Sequence, residues 1–238
     1  MKPLDSIPLW VDRKKLRIGR QVYFDWPYKQ YAHQLIVGAT GTGKTYAVKL
    51  MLGKISYFLP EAKIFLCDYK KDDFVFLEGC PRYYGFDECG RGLDEFYDAF
   101  AARRMGVDGS RDFRLLMFDE WASYISMLEK KQAENEKQKL ATLLMLGRSF
   151  NFHILVSQQR ADAQYFSTAR DNFQLITILG NISKEAALMF GLDREDLQPV
   201  YGAGCGYLLL NGVDLREIQV PTIRDVAKLD AVIRRLVE

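Results

Sequence analysis

Short apolar runs alternate with longer stretches of mixed polarity over most of the chain. Runs of this kind, bounded by glycine or acidic residues, are typical of strands buried on both faces of a parallel sheet. The predicted strands are 33–39, 63–68, 114–120, 153–158 and 175–180, and the predicted helices lie near 44–58, 91–105, 122–149 and 183–190. This alternation predicts an α/β fold with a mostly parallel central sheet and helices on both faces.

The two ends of the chain follow other patterns. Residues 1–30 are irregular, and the stretch KLRIGRQVYFDWPY within them predicts a short strand pair or an arm. Residues 202–221 predict a terminal hairpin with a tight turn at Asn211 and Gly212. The densely charged segment 128–140 is expected to be the solvated face of a helix or a partly ordered excursion. We therefore expect an N-terminal arm or strand pair over 1–30 and one main domain over 31–238.

Composition narrows the class of protein only a little. The chain has 238 residues, a net charge of +2, 48% hydrophobic residues and 27% charged residues, as ordinary globular proteins do. Contact with nucleic acid would therefore depend on a local basic surface. Four cysteines without a CxxC pair, and only two histidines, make a zinc site improbable and favour free thiols. With neither a membrane-length apolar run nor a signal peptide, the sequence predicts a soluble, cytoplasmic protein.

The segment VGATGTGKT, between a predicted strand and a predicted helix, contains a complete phosphate-binding loop. Its glycines let backbone N–H groups approach phosphate oxygens, and the following helix N-terminus adds a partial positive charge. Lys44 is expected to contact the β- and γ-phosphates, and the Thr45 hydroxyl to bind Mg²⁺. The loop residues expected to bind ATP are Gly38, Ala39, Thr40, Gly41, Thr42, Gly43, Lys44 and Thr45.

A second part of the same site is indicated by RLLMFDEW, an apolar run that ends in two acids. Ligands of open α/β sheets bind at the carboxyl ends of the strands, so both acids would lie near the phosphates. We expect Asp119 to hold the Mg²⁺ and Glu120 to polarise the attacking water. Alone, the pair would more commonly mark an acidic first turn of a helix. Together with the loop it favours a hydrolase over a kinase, which must keep water away from the γ-phosphate.

The run HILVSQQR supplies a third, weaker element. A strand that ends in an amide would place Gln158 or Gln159 between the phosphate-binding loop and the acidic strand. Such a side chain would sense the γ-phosphate, although glutamine at a strand end is common.

Six segments in order resemble the motor domain of FtsK/HerA-type DNA translocases, over about residues 32 to 222. They are AHQLIVGATGTGKTYAV, IFLCDYKKDDF, FYDAFAARRM, LGRSFNFHILVSQQR, LITILGNISKEAALMFG and GAGCGYLLL. The resemblance implies a RecA-like P-loop ATPase that surrounds double-stranded DNA as a homo-oligomeric ring, usually a hexamer, and pumps it with ATP.

The resemblance also implies roles for single residues. Gln159 matches the glutamine of the family's T-Q-R segment. Arg148 matches an arginine that acts as a finger in the neighbouring active site, and Lys184 matches a second candidate trans-acting cation. The alternatives are an arginine at the C-terminal end of a helix, favourable against the helix dipole, and a solvated lysine at a helix start. Asp68 and Lys70 match the family's D-P-K segment, with Tyr69 in place of the proline.

Departures from the family bear on the biological role. The chain lacks the family's membrane-spanning N-terminal region, and its end at Glu238 leaves no room for the winged-helix module that reads orienting DNA sequences. We therefore expect a motor of a mobile element, active in conjugation, replication or genome packaging.

Basic stretches are the candidate DNA contacts. They contain Arg103, Arg104, Arg111 and Arg114 in one segment, and Arg160, Tyr165, Phe166 and Arg170 in another. Each residue is equally well explained as solvated surface, subunit contact or core.

Two further functions remain open. A coupling ATPase would dock a relaxase or a secretion-channel protein, for which the charged segment 128–140 is a candidate surface. A small-molecule phosphotransferase is the more distant alternative, since it needs an acceptor pocket.

Overall fold

The computed structural model describes residues 5–159, 162–193, 195 and 197–238. Ten strands are found in these residues: β1 (Ile7–Asp12), β2 (Tyr23–Trp26), β3 (His33–Val37), β4 (Lys63–Asp68), β5 (Tyr83–Gly85), β6 (Arg114–Asp119), β7 (Phe152–Gln158), β8 (Leu175–Leu179), β9 (Cys205–Leu210) and β10 (Asp214–Gln219). The α-helices are α1 (Arg13–Leu16), α2 (Lys44–Phe58), α3 (Cys89–Arg104), α4 (Trp121–Met127), α5 (Lys130–Leu146), α6 (Lys184–Met189) and α7 (Val226–Val237).

All of these strands belong to one sheet, in the order β2-β1-β10-β9-β8-β3-β7-β6-β4-β5. The strands from β8 to β5 in this order are parallel, whereas β9, β10, β1 and β2 extend the sheet as antiparallel strands. The carboxyl ends of β3, β4, β6, β7 and β8 therefore meet at one edge. We refer to this edge as the carboxyl edge, and to the opposite one as the amino edge.

Helices cover both faces of the sheet, and each face has its own hydrophobic core. On one face, α2 and α7 pack through residues such as Met51 and Ile233. On the other, α3, α4 and α5 pack through residues such as Phe96, Trp121 and Leu144. The predicted α/β class, with a mostly parallel sheet and helices on both sides, is confirmed.

The first strands are part of this sheet. β1 pairs with β2 and also with β10. Trp10 is fully buried, and its indole N–H donates to the Thr177 hydroxyl at 3.0 Å. From α2, the Lys54 ammonium donates to the carbonyls of Pro8 and Leu9 at 2.5 and 2.7 Å. The middle of β1 is thus attached to the main body by specific polar contacts.

Three sequence predictions need correction. The helix expected over 122–149 is two helices, because Leu128 is extended (ψ 152°) between α4 and α5. The strand expected over 114–120 ends at Asp119, where the backbone turns sharply. The hairpin of β9 and β10 forms around Asn211 and Gly212, both at positive φ as predicted, but it is not the last element. α7 follows it, capped by the Asp225 carboxylate, which accepts from the N–H of Lys228.

In the part of the chain that the structure describes, every helix is too short or too polar to cross a bilayer.

Candidate active site

The loop that joins β3 to α2 lies at the carboxyl edge. Gly41 and Gly43 have φ of 81° and 94°, in the left-handed region that favours glycine. α2 begins directly after Gly43, and no side chain caps its first N–H groups. Uncapped N–H groups and the helix dipole together form a site for an anion. The strand–loop–helix geometry expected of Gly38 to Thr45 is therefore present.

A second glycine-rich segment, residues 202–206, packs against this loop. The N–H of Gly204 donates to the carbonyl of Thr42 at 2.8 Å. A Cβ on Gly43 would lie 3.1 Å from the Gly204 nitrogen, and one on Gly38 would lie 2.6 Å from the Leu179 carbonyl oxygen. The glycines of both segments thus allow a backbone-to-backbone approach that side chains would prevent.

Lys44 lies inside the loop and is 8% exposed. Its ammonium donates to the carbonyls of Gly38 and Ala39 at 2.8 and 3.3 Å. Burial lowers the pKa of Lys44, against the opposing effect of the negative charges of Glu120 and Asp119. A phosphate bound in the loop would replace these neutral carbonyl acceptors of the Lys44 ammonium with negatively charged oxygens, which accept stronger hydrogen bonds.

The register of the sheet aligns polar groups at the carboxyl edge. Asp68 pairs with Asp119 across β4 and β6, and Asp119 pairs with Ser157 across β6 and β7. Paired residues point to the same face, so all three lie on the face covered by α2, whose first turn contains Thr45. Asp119 is 3% exposed. Burial raises its pKa to about 7, and the charges of Glu120 and Asp68 add to this effect.

Glu120 follows β6 in a left-handed conformation, with φ 57° and ψ 46°. A non-glycine residue is held in that region only by its surroundings. Its N–H donates to the Ser157 carbonyl at 2.7 Å, and its own carbonyl accepts from the N–H of Tyr124 at 3.1 Å. Its carboxylate is 3% exposed and lies 2.7 Å from the Lys70 ammonium. The sequence indicated Glu120 but not this ion pair.

Thr45 has a partner that the sequence analysis missed. Its hydroxyl donates to the Asp73 carboxylate at 2.8 Å. Asp73 lies in the segment YKKDDF that follows β4 at the same edge of the sheet. A run of charged residues directly after a buried strand was the signal available to find it. The residues around Thr45 thus offer hydroxyl and carboxylate oxygens, the ligands that Mg²⁺ prefers.

The two glutamines at the end of β7 have different surroundings. Gln158 is fully buried, and its amide atoms have no hydrogen-bond partner among the described residues. Gln159 is exposed and lines a cavity of about 830 Å³ together with Ala39 and residues 181–183. Of the two candidates, Gln159 therefore has access to a ligand held by the loop.

Arg148 and Lys184 lie at opposite edges of the sheet. Arg148 is in a 3₁₀ turn (Gly147–Phe150) that precedes β7, so it is at the amino edge, about 20 Å along the strand from the phosphate-binding loop. It is exposed, and it donates to the Gln30 carbonyl at 3.4 Å. Its charge and burial together lower the pKa of nearby His33 to about 3, burial having the larger effect. Lys184 is the exposed first residue of α6, after β8, at the carboxyl edge.

Burial excludes two of the residues predicted from the sequence to contact DNA. Arg103 is 4% exposed and pairs with Asp108 and Asp112 while its guanidinium lies over the Phe152 ring. Arg114 pairs with the same two acids. A role in DNA contact is therefore wrong for Arg103, and it is also wrong for Phe166, which is buried at 1% exposure.

The other candidates are more accessible. Arg104 and Arg111 are exposed, and Arg111 donates to the Ser149 carbonyl at 3.2 Å. Tyr165 and Arg170 are partly exposed. Arg160 lies outside the described residues.

The model of the FtsK/SpoIIIE family matches residues 4–173, which include the phosphate-binding loop, the acidic strand and β7.

Individual relatives agree with this match. The FtsK domain-containing protein YdcQ of Bacillus subtilis (strain 168) is 27% identical in an alignment 223 residues long, which covers 84% of this chain and 45% of YdcQ. EssC (ATPases 2 and 3) from Geobacillus thermodenitrificans has a TM-score of 0.72 at 13% identity, over 98% of this chain and 48% of EssC. The pCW3 conjugation coupling protein TcpA, solved with ATPγS, also has a TM-score of 0.72, at 16% identity over 92% of this chain and 66% of TcpA.

These likenesses confirm the predicted RecA-like P-loop fold. The chain spans about half the length of the first two relatives.

Proposed function

The chain belongs to the FtsK/SpoIIIE family, and from this membership and the site geometry we propose that it hydrolyses ATP with Mg²⁺ to translocate double-stranded DNA. The observation that carries the proposal is the convergence of Lys44, Thr45, Asp119 and Glu120 at one edge of the sheet. Four buried, free thiols suit the reducing conditions of the cytoplasm, where we expect it to act.

In this proposal the loop binds the phosphates through its backbone N–H groups, and Lys44 exchanges its carbonyl partners for β- and γ-phosphate oxygens. Thr45 and Asp119 would hold Mg²⁺, and the ion would supply positive charge against the charge that develops on the phosphates. Glu120 accepts a proton from water while the water oxygen bonds to the γ-phosphorus, and the bond to the β–γ bridging oxygen breaks. Gln159 orients the γ-phosphate or the water.

Glu120 is paired with Lys70, so it must separate from this ammonium before it can act as a base. Glu120→Gln should lower the turnover number by roughly 10²–10⁴, the usual contribution of a general base. Lys44→Ala should abolish hydrolysis.

The positions of the two cations suggest how hydrolysis depends on assembly. Arg148 lies at the amino edge and cannot reach the loop of its own chain, whereas an adjacent copy stacked against that edge would receive it. A cation delivered in this way contributes roughly 10³–10⁵ in rate. Lys184 is the second candidate, and comparing Arg148→Ala, Lys184→Ala and the double variant separates their contributions.

Complementation tests the trans arrangement. Glu120→Gln keeps Arg148 but has a disabled site, and Arg148→Ala keeps an intact site but offers no finger. Mixing the two should restore hydrolysis above the sum of the separate samples. The control is a mixture of Glu120→Gln with Lys44→Ala, in which both sites are disabled, so no recovery is expected. Full turnover by Arg148→Ala alone would remove Arg148 from the proposal.

DNA stimulation tests the substrate. Contacts to phosphates do not depend on sequence and weaken with salt. ATP hydrolysis should therefore rise with long duplex DNA of any sequence, and the rise should disappear at high salt. Equal hydrolysis with and without DNA at all concentrations would refute translocation but not ATP hydrolysis.

A second candidate is a coupling ATPase that docks a relaxase or a secretion-channel protein. The observation in its favour is the outer face of α5, where Lys130, Lys131, Glu134 and Asn135 are exposed. Replacing Lys130 and Lys131 by glutamate should abolish binding to such a partner and leave ATP hydrolysis unchanged. Unchanged binding would count against this surface.

A further inference from the structure

The segment 69–74, which follows β4, is fixed against the phosphate-binding loop by a buried acid. Asp68 is fully buried. One of its carboxylate oxygens accepts from the N–H of Lys71 at 3.0 Å, and the other accepts from the N–H of Phe74 at 3.1 Å and the Tyr83 hydroxyl at 3.3 Å. These bonds fix the segment at residues 71 and 74. Asp73, which lies between them and faces α2, therefore has little conformational freedom.

Asp73 uses this fixed position to bind Thr45. The hydroxyl oxygen of Thr45 lies 2.8 Å from the Asp73 carboxylate and donates its hydrogen to it. A hydroxyl has one hydrogen and two lone pairs. Once the hydrogen is directed to Asp73, it is not available to Asp119, and the lone pairs face away from Asp73.

This arrangement matters for a cation. A hydroxyl binds Mg²⁺ through a lone pair, and a hydrogen turned toward the metal would oppose binding. Partners of metal ligands that fix their orientation typically change affinity by roughly 10- to 100-fold when they are removed.

We propose that Asp73 is a positioning residue of the nucleotide site, which directs the Thr45 hydroxyl toward Mg²⁺ and supplies a further carboxylate beside it. The proposal rests on the function proposed above, because it requires Mg²⁺ and ATP to bind at this loop. It adds a residue from the segment after β4 to a site otherwise built from the loop, β6 and β7.

A structural role for the same hydrogen bond predicts a different result. If Asp73 only fixed the start of α2, its loss would weaken nucleotide binding equally with and without the metal. If it positions Thr45 for Mg²⁺, its loss weakens only binding that depends on the metal. The test is therefore the affinity for a fluorescent ATP analogue, mant-ATP, measured in excess Mg²⁺ and in EDTA.

The variants are Asp73→Ala, Asp73→Asn and, as a matched control, Asp72→Ala, which removes the exposed neighbouring carboxylate. Asp73→Ala should lose roughly tenfold or more of the affinity in Mg²⁺ and none in EDTA. Asp73→Asn still accepts from Thr45, so it should recover part of that loss, and Asp72→Ala should match the unmodified chain. Because asparagine keeps the shape and the hydrogen bond, it serves as the test if the alanine variant folds poorly.

Binding of Mn²⁺ to each nucleotide-bound variant, followed by electron paramagnetic resonance, gives a second readout that does not depend on activity. Equal losses in Mg²⁺ and EDTA, or no loss in either, would overturn the role of Asp73 while leaving the proposed function intact. An unmodified chain that binds no mant-ATP in Mg²⁺ would overturn both.

Discussion

The buried metal-binding candidate Asp119 should make the nucleotide-free protein less stable at high pH. Its pKa is raised from 3.8 in the unfolded chain to about 7 in the folded one, chiefly by burial. The folded state therefore binds more protons between these values, and stability falls as the pH rises through this range. At 1.36 kcal/mol per pKa unit, the whole window corresponds to about 4 kcal/mol.

Asp119→Asn removes this proton binding. Between pH 5 and pH 8 the free energy of unfolding of the variant should increase relative to that of the unmodified chain by about 3 kcal/mol. For a chain of this length that is roughly 6–12 °C in melting temperature. Relative to the unmodified chain, the variant should thus have a higher melting temperature at pH 8 than at pH 5, although it loses Mg²⁺ binding.

The assay is thermal or urea unfolding across this pH range in EDTA, without nucleotide. Asp72→Asn, which changes an exposed carboxylate, is the control and should follow the unmodified chain. Parallel stability curves for Asp119→Asn and the unmodified chain would show that Asp119 ionises normally, and the argument from burial would then be refuted.

Three further predictions follow from contacts outside and inside the site. Gly206→Ala should destabilise the fold by about 1–3 kcal/mol, because its Cβ would clash with the Ile178 carbonyl of the neighbouring strand β8. Gly109→Ala, in open space, is the control, and equal urea midpoints would contradict the clash. Arg103→Met should cost about 1–3 kcal/mol, because the carbonyls of Asp112 and Phe150 lose their guanidinium donor, although both acids keep Arg114. Arg104→Ala should cost much less, and a variant of Arg103 that is stable but binds DNA weakly would restore Arg103 as a DNA contact. Because a metal ligand must be deprotonated, Mg²⁺-dependent affinity for mant-ATP should fall about tenfold per pH unit below about 7, and a flat profile would exclude Asp119 as the titrating ligand.

Local patterns in the sequence were sufficient for the central part of the fold. The apolar runs before the phosphate-binding loop and before Asp119 are buried on both faces, and such strands are visible without knowledge of their neighbours. The break between α4 and α5 was not visible in the sequence, because Leu128 and Glu129 are not helix-breaking residues such as glycine or proline. The extended backbone at Leu128 depends instead on tertiary contacts. α7 was detectable, since Asp225 starts an amphipathic stretch, but it was not predicted.

The same distinction applies to the site. Lys44, Thr45 and Asp119 were predicted because their motifs lie within short stretches of the chain. The bonds from Asp73 to Thr45 and from Lys70 to Glu120 join residues 28 and 50 positions apart. The parallel arrangement of β3, β7, β6 and β4, which brings the carboxyl ends of all four strands to one edge, places these pairs together.

The separation between Arg148 and the phosphate-binding loop has a geometric consequence. If each copy offers an arginine at one edge and accepts its neighbour's at the other, the two contacting surfaces are different. Copies then join head to tail, and all copies have the same orientation along the assembly. Such an assembly has a built-in polarity, so it needs no sequence signal to move along a symmetrical duplex in a single direction once it has been loaded.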